Sequence, residues 1–262
     1  MNLDKYMPFV KFYPPKDPYY TRVASMVRGN YSDAEPFKLI SVDPDDIEYV
    51  SLREFDKWER SGQVLSGDWD RKRLPFEEAT FYTGIDTPFF GGIEAHFERG
   101  ADWEETEFVR EVTERIRSGH RSWGCSSLEE VWEKADRLDA LYDRIADQGY
   151  KSQAEYLSGG SDAETTEAGS KLLRIVKRNT ILGRDEVAVD IGRDGELLYF
   201  DGKHRLSIAK LLDVESIPVR VVVRHRGWQD VRDEIRETGT VVRDELRSHP
   251  DLVELTEENA SR

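Results

Sequence analysis

The chain has 262 residues, 35% of them charged and 38% hydrophobic, and 53 Asp and Glu against 38 Lys and Arg leave a net charge of -15. That length buries one large core or two modest ones. Six Trp, eleven Tyr and eleven Phe exclude a disordered chain.

The acid is spread over every predicted element without forming a patch, and Arg outnumbers Lys roughly two to one. Such a surface favours hydration in concentrated salt, so a halophilic cytoplasm is the expected setting. There the Debye length shrinks to about 3 Å, which disfavours electrostatic binding to nucleic acid. With Cys125 as the single cysteine, neither an internal disulfide nor a thiolate zinc site is expected. Met1 to Pro18 lacks the apolar stretch of a signal peptide, and no apolar run approaches the roughly 18 residues of a membrane span. A soluble, cytoplasmic protein without a membrane partner is expected.

Residues 1–36 are rich in Pro and Tyr without helix or strand period, and an extended N-terminal arm is expected there. Phe37 to Val42 alternates as a strand does, and Asp43-Pro44-Asp45-Asp46 ends it because proline fixes φ and Asp43 bonds the backbone ahead. Ser61 to Gly100 reads as loops, with Ser66-Gly67-Asp68-Trp69-Asp70 and Phe89-Phe90-Gly91-Gly92 as the clearest irregular segments. Glu104 to Arg117 predicts a helix burying Phe108, Val109, Val112 and Ile116, with Gly119 just past its end.

Ser127-Leu128-Glu129-Glu130 has the capping-box pattern, and Val131, Ala135, Leu138, Tyr142 and Ile145 carry a long helix to Gly149. Ser158-Gly159-Gly160-Ser161-Asp162 is a linker pattern, followed by a short helix burying Leu172, Leu173, Ile175 and Val176. Glu186 to Ile191 and Glu196 to Phe200 form a hairpin about Arg193-Asp194-Gly195. A helix from Arg205 to Leu212 and a β-branched strand, Ile217 to Val223, complete an α/β or α+β unit. After His225 come one or two helices broken at Gly239, then a polar tail. Trp103, Trp123, Trp132 and Trp228 read as anchors, Cys125 as a small buried residue, and the histidines lack metal-ligand spacing.

The chemistry concentrates at Asp201-Gly202-Lys203-His204-Arg205, where a strand feeds a helix. Backbone N–H groups and the dipole at a helix N-terminus favour an anion. Gly202 lets the backbone approach a ligand, and arginine can grip two phosphate oxygens at once. A plainer reading stands beside it: Asp201 caps the helix, His204 packs against the sheet and Arg205 pairs with a surface acid.

Val189 to Val223, with Asp201-Gly202-Lys203-His204-Arg205-Leu206, an alanine-containing helix and Ile217-Pro218-Val219-Arg220-Val221, resembles the signature half of the ParB/sulfiredoxin superfamily. Leu141 to Ile145 and Gly149 to Gln153 resemble its preceding helix and glycine turn. Phe37 to Ile47 is similar to its first strand, which makes Tyr156 to Asp185 an insertion. The resemblance implies an α/β (α+β) fold, a small mixed sheet with helices elaborated by a mostly helical insertion. The expected organisation is an arm (1–36), a core (37–225, signature 186–225) and a C-terminal helix with tail (226–262).

Within the superfamily, sulfiredoxin chemistry needs a cysteine where Lys203 stands. Partition proteins carry a helix-turn-helix domain after the loop, and only about 37 residues follow His225. The free-serine kinases have an Asp-Gly-His-His-Arg loop, which Asp201 to Arg205 resembles at four of five positions, Lys203 being the departure. The implied function is a nucleotide-dependent phosphotransferase acting on a small hydroxyl-bearing substrate, with ATP or ADP (or CTP) and Mg²⁺. Gly202, Lys203, His204 and Arg205 are the implied phosphate ligands, and Asp201 and His204 the catalytic candidates. The base is expected from Asp68 and Asp70, or from Glu104 and Glu105. Two alternatives are a non-catalytic, nucleotide-responsive binding module and a ParB-like nuclease using Arg220, Arg224, His225 and Arg226.

Overall fold

The computed structural model describes residues 31–34, 39–53, 61–152, 155, 186–241, 243–253 and 255. The predicted linker, the helix around Leu172 and nearly all of the N-terminal arm lie outside them. The fold is mixed α/β. One seven-stranded sheet holds β1 (Leu39–Val42), β2 (Tyr49–Ser51), β3 (Val64–Leu65), β4 (Arg73–Pro75), β5 (Val187–Ile191), β6 (Leu197–Asp201) and β7 (Ile217–His225). Its order is β1-β7-β5-β6-β2-β4, with the short β3 pairing the far end of β7. The β5–β6 hairpin is antiparallel as its sequence predicts, whereas β7 returns parallel to β5 and β2 lies parallel to β6.

Five α-helices are present among the described residues: α1 (Phe89–Phe97), α2 (Glu107–Arg117), α3 (Leu128–Gln148), α4 (Lys203–Leu211) and α5 (Arg226–Thr238). Helix α3 starts where its cap pattern places it. Ser127 Oγ accepts from the Glu130 N–H at 3.2 Å, and Glu130 reaches back to the N–H and hydroxyl of Ser126. The expectation of loop at Phe89-Phe90-Gly91-Gly92 is corrected, because those four residues open α1. Gly92 is there for packing: a Cβ on it would lie 2.7 Å from Phe108 Cβ on α2.

Helix α4 separates two cores. Leu206 and Ala209 pack against the sheet with Val187, Val189, Tyr199 and Val219. Ile208 packs into the helical layer of α1, α2 and α3 with Phe89, Phe108, Val112 and Trp123. The other face of the sheet carries a smaller cluster of Trp69, Leu198, Phe200, Val222 and Val223. Adjacent Val222 and Val223 share that face because the register with β5 shifts between Val189 and Ile191, an irregularity of the β-bulge kind. No described helix is long and apolar enough to cross a membrane.

The C-terminal segment is built into the sheet core through Trp228, Ile235 and Leu252. It is fastened by buried charge. Arg224 Nε and Nη2 donate to the two Asp251 oxygens at 2.9 and 2.5 Å, Trp228 Nε1 adds a bond at 2.8 Å, and Arg232 lies 3.1 Å away. Arg232 also donates to both oxygens of Asp33, which Gln229 and Arg236 join. Burial alone would raise these carboxyls, but the arginines outweigh it and hold Asp33 and Asp251 below the usual range.

Asp251→Ala leaves two buried guanidinium groups without their shared partner and should cost ~3–5 kcal/mol in urea unfolding at pH 7. A carboxyl with a depressed folded-state pKa takes its proton first in the unfolded chain. This stabilisation is therefore complete above about pH 4 and lost as the pH falls further. The gap between wild type and Asp251→Ala is expected to narrow below pH 4; a gap constant from pH 7 to pH 3 would show that the pair contributes no linkage.

Candidate functional site

The turn from β6 into α4 is set by a glycine. Gly202 is the N-cap of α4 at φ +93°, and a Cβ there would lie 2.9 Å from the Val187 Cα of β5. Both the left-handed backbone and the close strand require glycine. No side chain caps α4. The Lys203 amide bonds the Tyr199 phenol, whose pKa burial drives well above the ordinary value. Asp201 Oδ1 accepts from its neighbour's amide, Gly202 N–H, at 2.8 Å. The amides of His204 and Arg205, second and third in the helix, are left without intrahelical acceptors by helix geometry.

The side chains of the turn diverge. Lys203 is partly exposed, with its ammonium 4.8 Å from the Tyr82 ring centroid and 5.5 Å from that of Phe81. His204 turns toward the helical layer, edge-on to Phe89 at 5.2 Å, and its Nε2 is buried without a hydrogen-bond partner. Burial, aided by the charges of Lys203 and Lys134, pushes its pKa down to about 3, so the imidazole is neutral.

Arg205 points away from the helix mouth. Its Nη1 donates to Glu186 Oε2 at 2.8 Å, its Nη2 to the Lys151 carbonyl oxygen at 2.5 Å, and the guanidinium covers the Tyr150 ring at 4.4 Å. The expected phosphate grip by Arg205 is thereby corrected. Its hydrogen-bonding capacity is taken up by a buried ion pair, not by the surface acid of the plainer reading.

Asp68 and Asp70, expected to supply a base, are also corrected. Asp70 is buried and takes the Arg193 backbone N–H at 3.0 Å, with Arg193 Nε and Nη2 at 2.8 and 2.6 Å; Asp68 takes Nη2 at 2.8 Å. Burial would raise the Asp70 carboxyl, but Arg193 overrides it and sets the value to about 2. Arg193 sits in the β5–β6 turn, whereas Asp201 pairs with Ala188 at the other end of the same two strands. The two acids and the α4 turn thus occupy opposite ends of the hairpin. Glu104 and Glu105 are exposed in a short 3₁₀ turn preceding α2.

Sequence reasoning missed the groups that do converge near α4. Tyr82, Trp123 and Lys134 come from three separate segments, and Cys125, distant from the loop in sequence, lies near Tyr82. The buried partner Glu186 was visible only as the residue before β5. Against known protein families, curated proteins and solved structures, the chain matches none.

Gly202→Ala combines left-handed strain with a backbone clash and should lower unfolding free energy by ~2–5 kcal/mol. Arg205→Ala and Glu186→Ala should each cost ~3–5 kcal/mol, because either one strands a buried charge. The double variant should lose much less than the sum of the two, as residues of one pair do. Additive losses in urea titration would show that Arg205 acts elsewhere than on Glu186.

Proposed function

We propose that the protein binds nucleotide phosphates at the N-terminus of α4 and uses them as a small-molecule phosphotransferase of the ParB/sulfiredoxin kind. The observation that carries this reading is a glycine-led helix start with no side-chain cap, flanked by the Lys203 ammonium. Such a start offers amides and dipole to an anion. Lys203 adds a positive charge at the edge of the turn, whereas the expected phosphate and catalytic role of His204 is corrected, because its ring faces the helical layer.

Phosphoryl transfer asks the protein mainly for positioning and charge stabilisation. Asp201 is the acid of the turn and serves the metal in this reading, so the base for the acceptor hydroxyl comes from another residue than Asp201, Asp68 or Asp70. No group of three or more potential ligands that could hold a metal is present among the described residues. Mg²⁺ keeps its waters and uses one or two carboxylates plus the nucleotide's own phosphates. Asp201 would hold it, and its charge would offset that of the phosphates.

A second reading is favoured by the fixed Arg205 and the remote Asp68 and Asp70: nucleotide binding that alters affinity for a partner without turnover. Both readings predict calorimetric binding of ATP, ADP or CTP with Mg²⁺ by the full chain, weakened tenfold or more by Lys203→Ala. Transfer of labelled phosphate to amino-acid or sugar hydroxyls separates catalysis from binding. Absence of nucleotide binding at both low and molar salt rules out both.

A further inference from the structure

Lys134 of α3 is a half-buried cation whose charge no described carboxylate meets. Its Nζ donates to the Trp123 carbonyl oxygen at 2.5 Å and lies 5.0 Å from the Trp123 ring centroid. Burial lowers its pKa. Buried charges in proteins are otherwise paired or coordinated.

Around it stand three polar atoms that are buried and have no hydrogen-bond partner: Trp123 Nε1, Tyr82 Oη and His204 Nε2. Trp123 is 0% exposed. The indole N–H faces the Tyr82 phenol as a hydrogen-bond donor and acts to lower its pKa, though the contact misses good hydrogen-bond geometry. Phe89 contacts both Tyr82 and His204, at 6.3 and 5.2 Å, and Phe108 contacts both Tyr82 and Trp123, at 5.9 and 5.5 Å. The polar tips therefore share one neighbourhood walled by rings.

We propose that Lys134, Trp123, Tyr82 and His204 form an internal site for one small monovalent anion of halide size. The ammonium and the indole N–H are donors only, and the phenol and the imidazole can each donate as well. A water molecule would satisfy some of these donors, but it leaves the lysine charge uncompensated, whereas an anion answers both demands. Rings packed at these distances restrict any guest to a single-centre ion. The site stands independently of nucleotide binding at the α4 turn.

The test uses bromide with the full-length chain. Crystals soaked in bromide are expected to show an anomalous peak within hydrogen-bond distance of Trp123 Nε1 and Lys134 Nζ. In solution, at constant ionic strength, replacing gluconate by bromide should raise Tm. Lys134→Met, which keeps the aliphatic stem, and Trp123→Phe, which keeps an aromatic ring, should each raise the apparent bromide Kd tenfold or more. Should either variant fail to fold, the anomalous peak in the wild type still decides. An absent peak, or equal Tm in bromide and gluconate, overturns the proposal. So does a peak that persists unchanged in both variants. Calorimetry with ATP on the same proteins tests the α4 turn separately, and its failure leaves the bromide result standing.

Discussion

Glu186 is a buried carboxylate at the entry to β5, and Arg205 is the cation that bonds it. Two residues three positions apart thus fix α4 to the sheet: Gly202 rests on the Val187 backbone while Arg205 holds the residue just before it. Because Arg205 also bonds the Lys151 carbonyl oxygen and covers Tyr150, the same guanidinium ties the sheet to the chain leaving α3. Helix α4 can then bury Leu206 against the strands and Ile208 against the helices without choosing between two orientations. The anion-facing amides owe their position to this clamp. A planar fork with five donors suits such a junction in a way a lysine does not.

The hairpin of β5 and β6 was legible because alternating apolar residues flank Arg193-Asp194-Gly195, and α3 because Ser127 and Gly149 mark its ends. Helix α1 was not, since Gly91 and Gly92 resemble a loop until Phe108 on another helix explains one of them. Strand β3 is two residues long and exists by pairing with Arg224 and His225, a partnership no local pattern announces. At the site, a strand ending in Asp201-Gly202 before a helix was readable as an anion-facing turn. The fate of its arginine was not, because Glu186 lies 19 residues away and Lys151 54. Asp68 and Asp70 looked available for the same reason, their arginine being 125 and 123 residues away. Spacing carries local geometry, but it says little about which distant charge will consume a side chain.

Several buried or half-buried arginines share a pattern that the overall charge of -15 conceals. Arg53 meets Asp190, Arg193 meets Asp70, Arg205 meets Glu186, and Arg224 and Arg232 meet Asp251. Inside such a chain the scarce species is the cation, and most of the described buried carboxylates draw on one. Salt screens buried pairs weakly compared with exposed ones, so these contacts hold across a wide range of ionic strength.

Depth of burial and the donors a carboxylate receives decide its chemistry together. Asp70 receives a backbone N–H and two guanidinium nitrogens from Arg193, and its pKa falls to about 2. Asp190, fully buried on the opposite sheet face from α4, has Arg53 Nε at 2.6 Å and further donors in Ser51 and the Val223 backbone. There burial exceeds the charge of Arg53, and the pKa is pushed up to about 6. One nearby cation therefore does not guarantee an ionised acid; for a fully buried carboxyl the loss of water can outweigh a cation and several donors together. By the same logic a half-buried ammonium with one carbonyl acceptor is an incomplete arrangement, and Lys134 stands in that position.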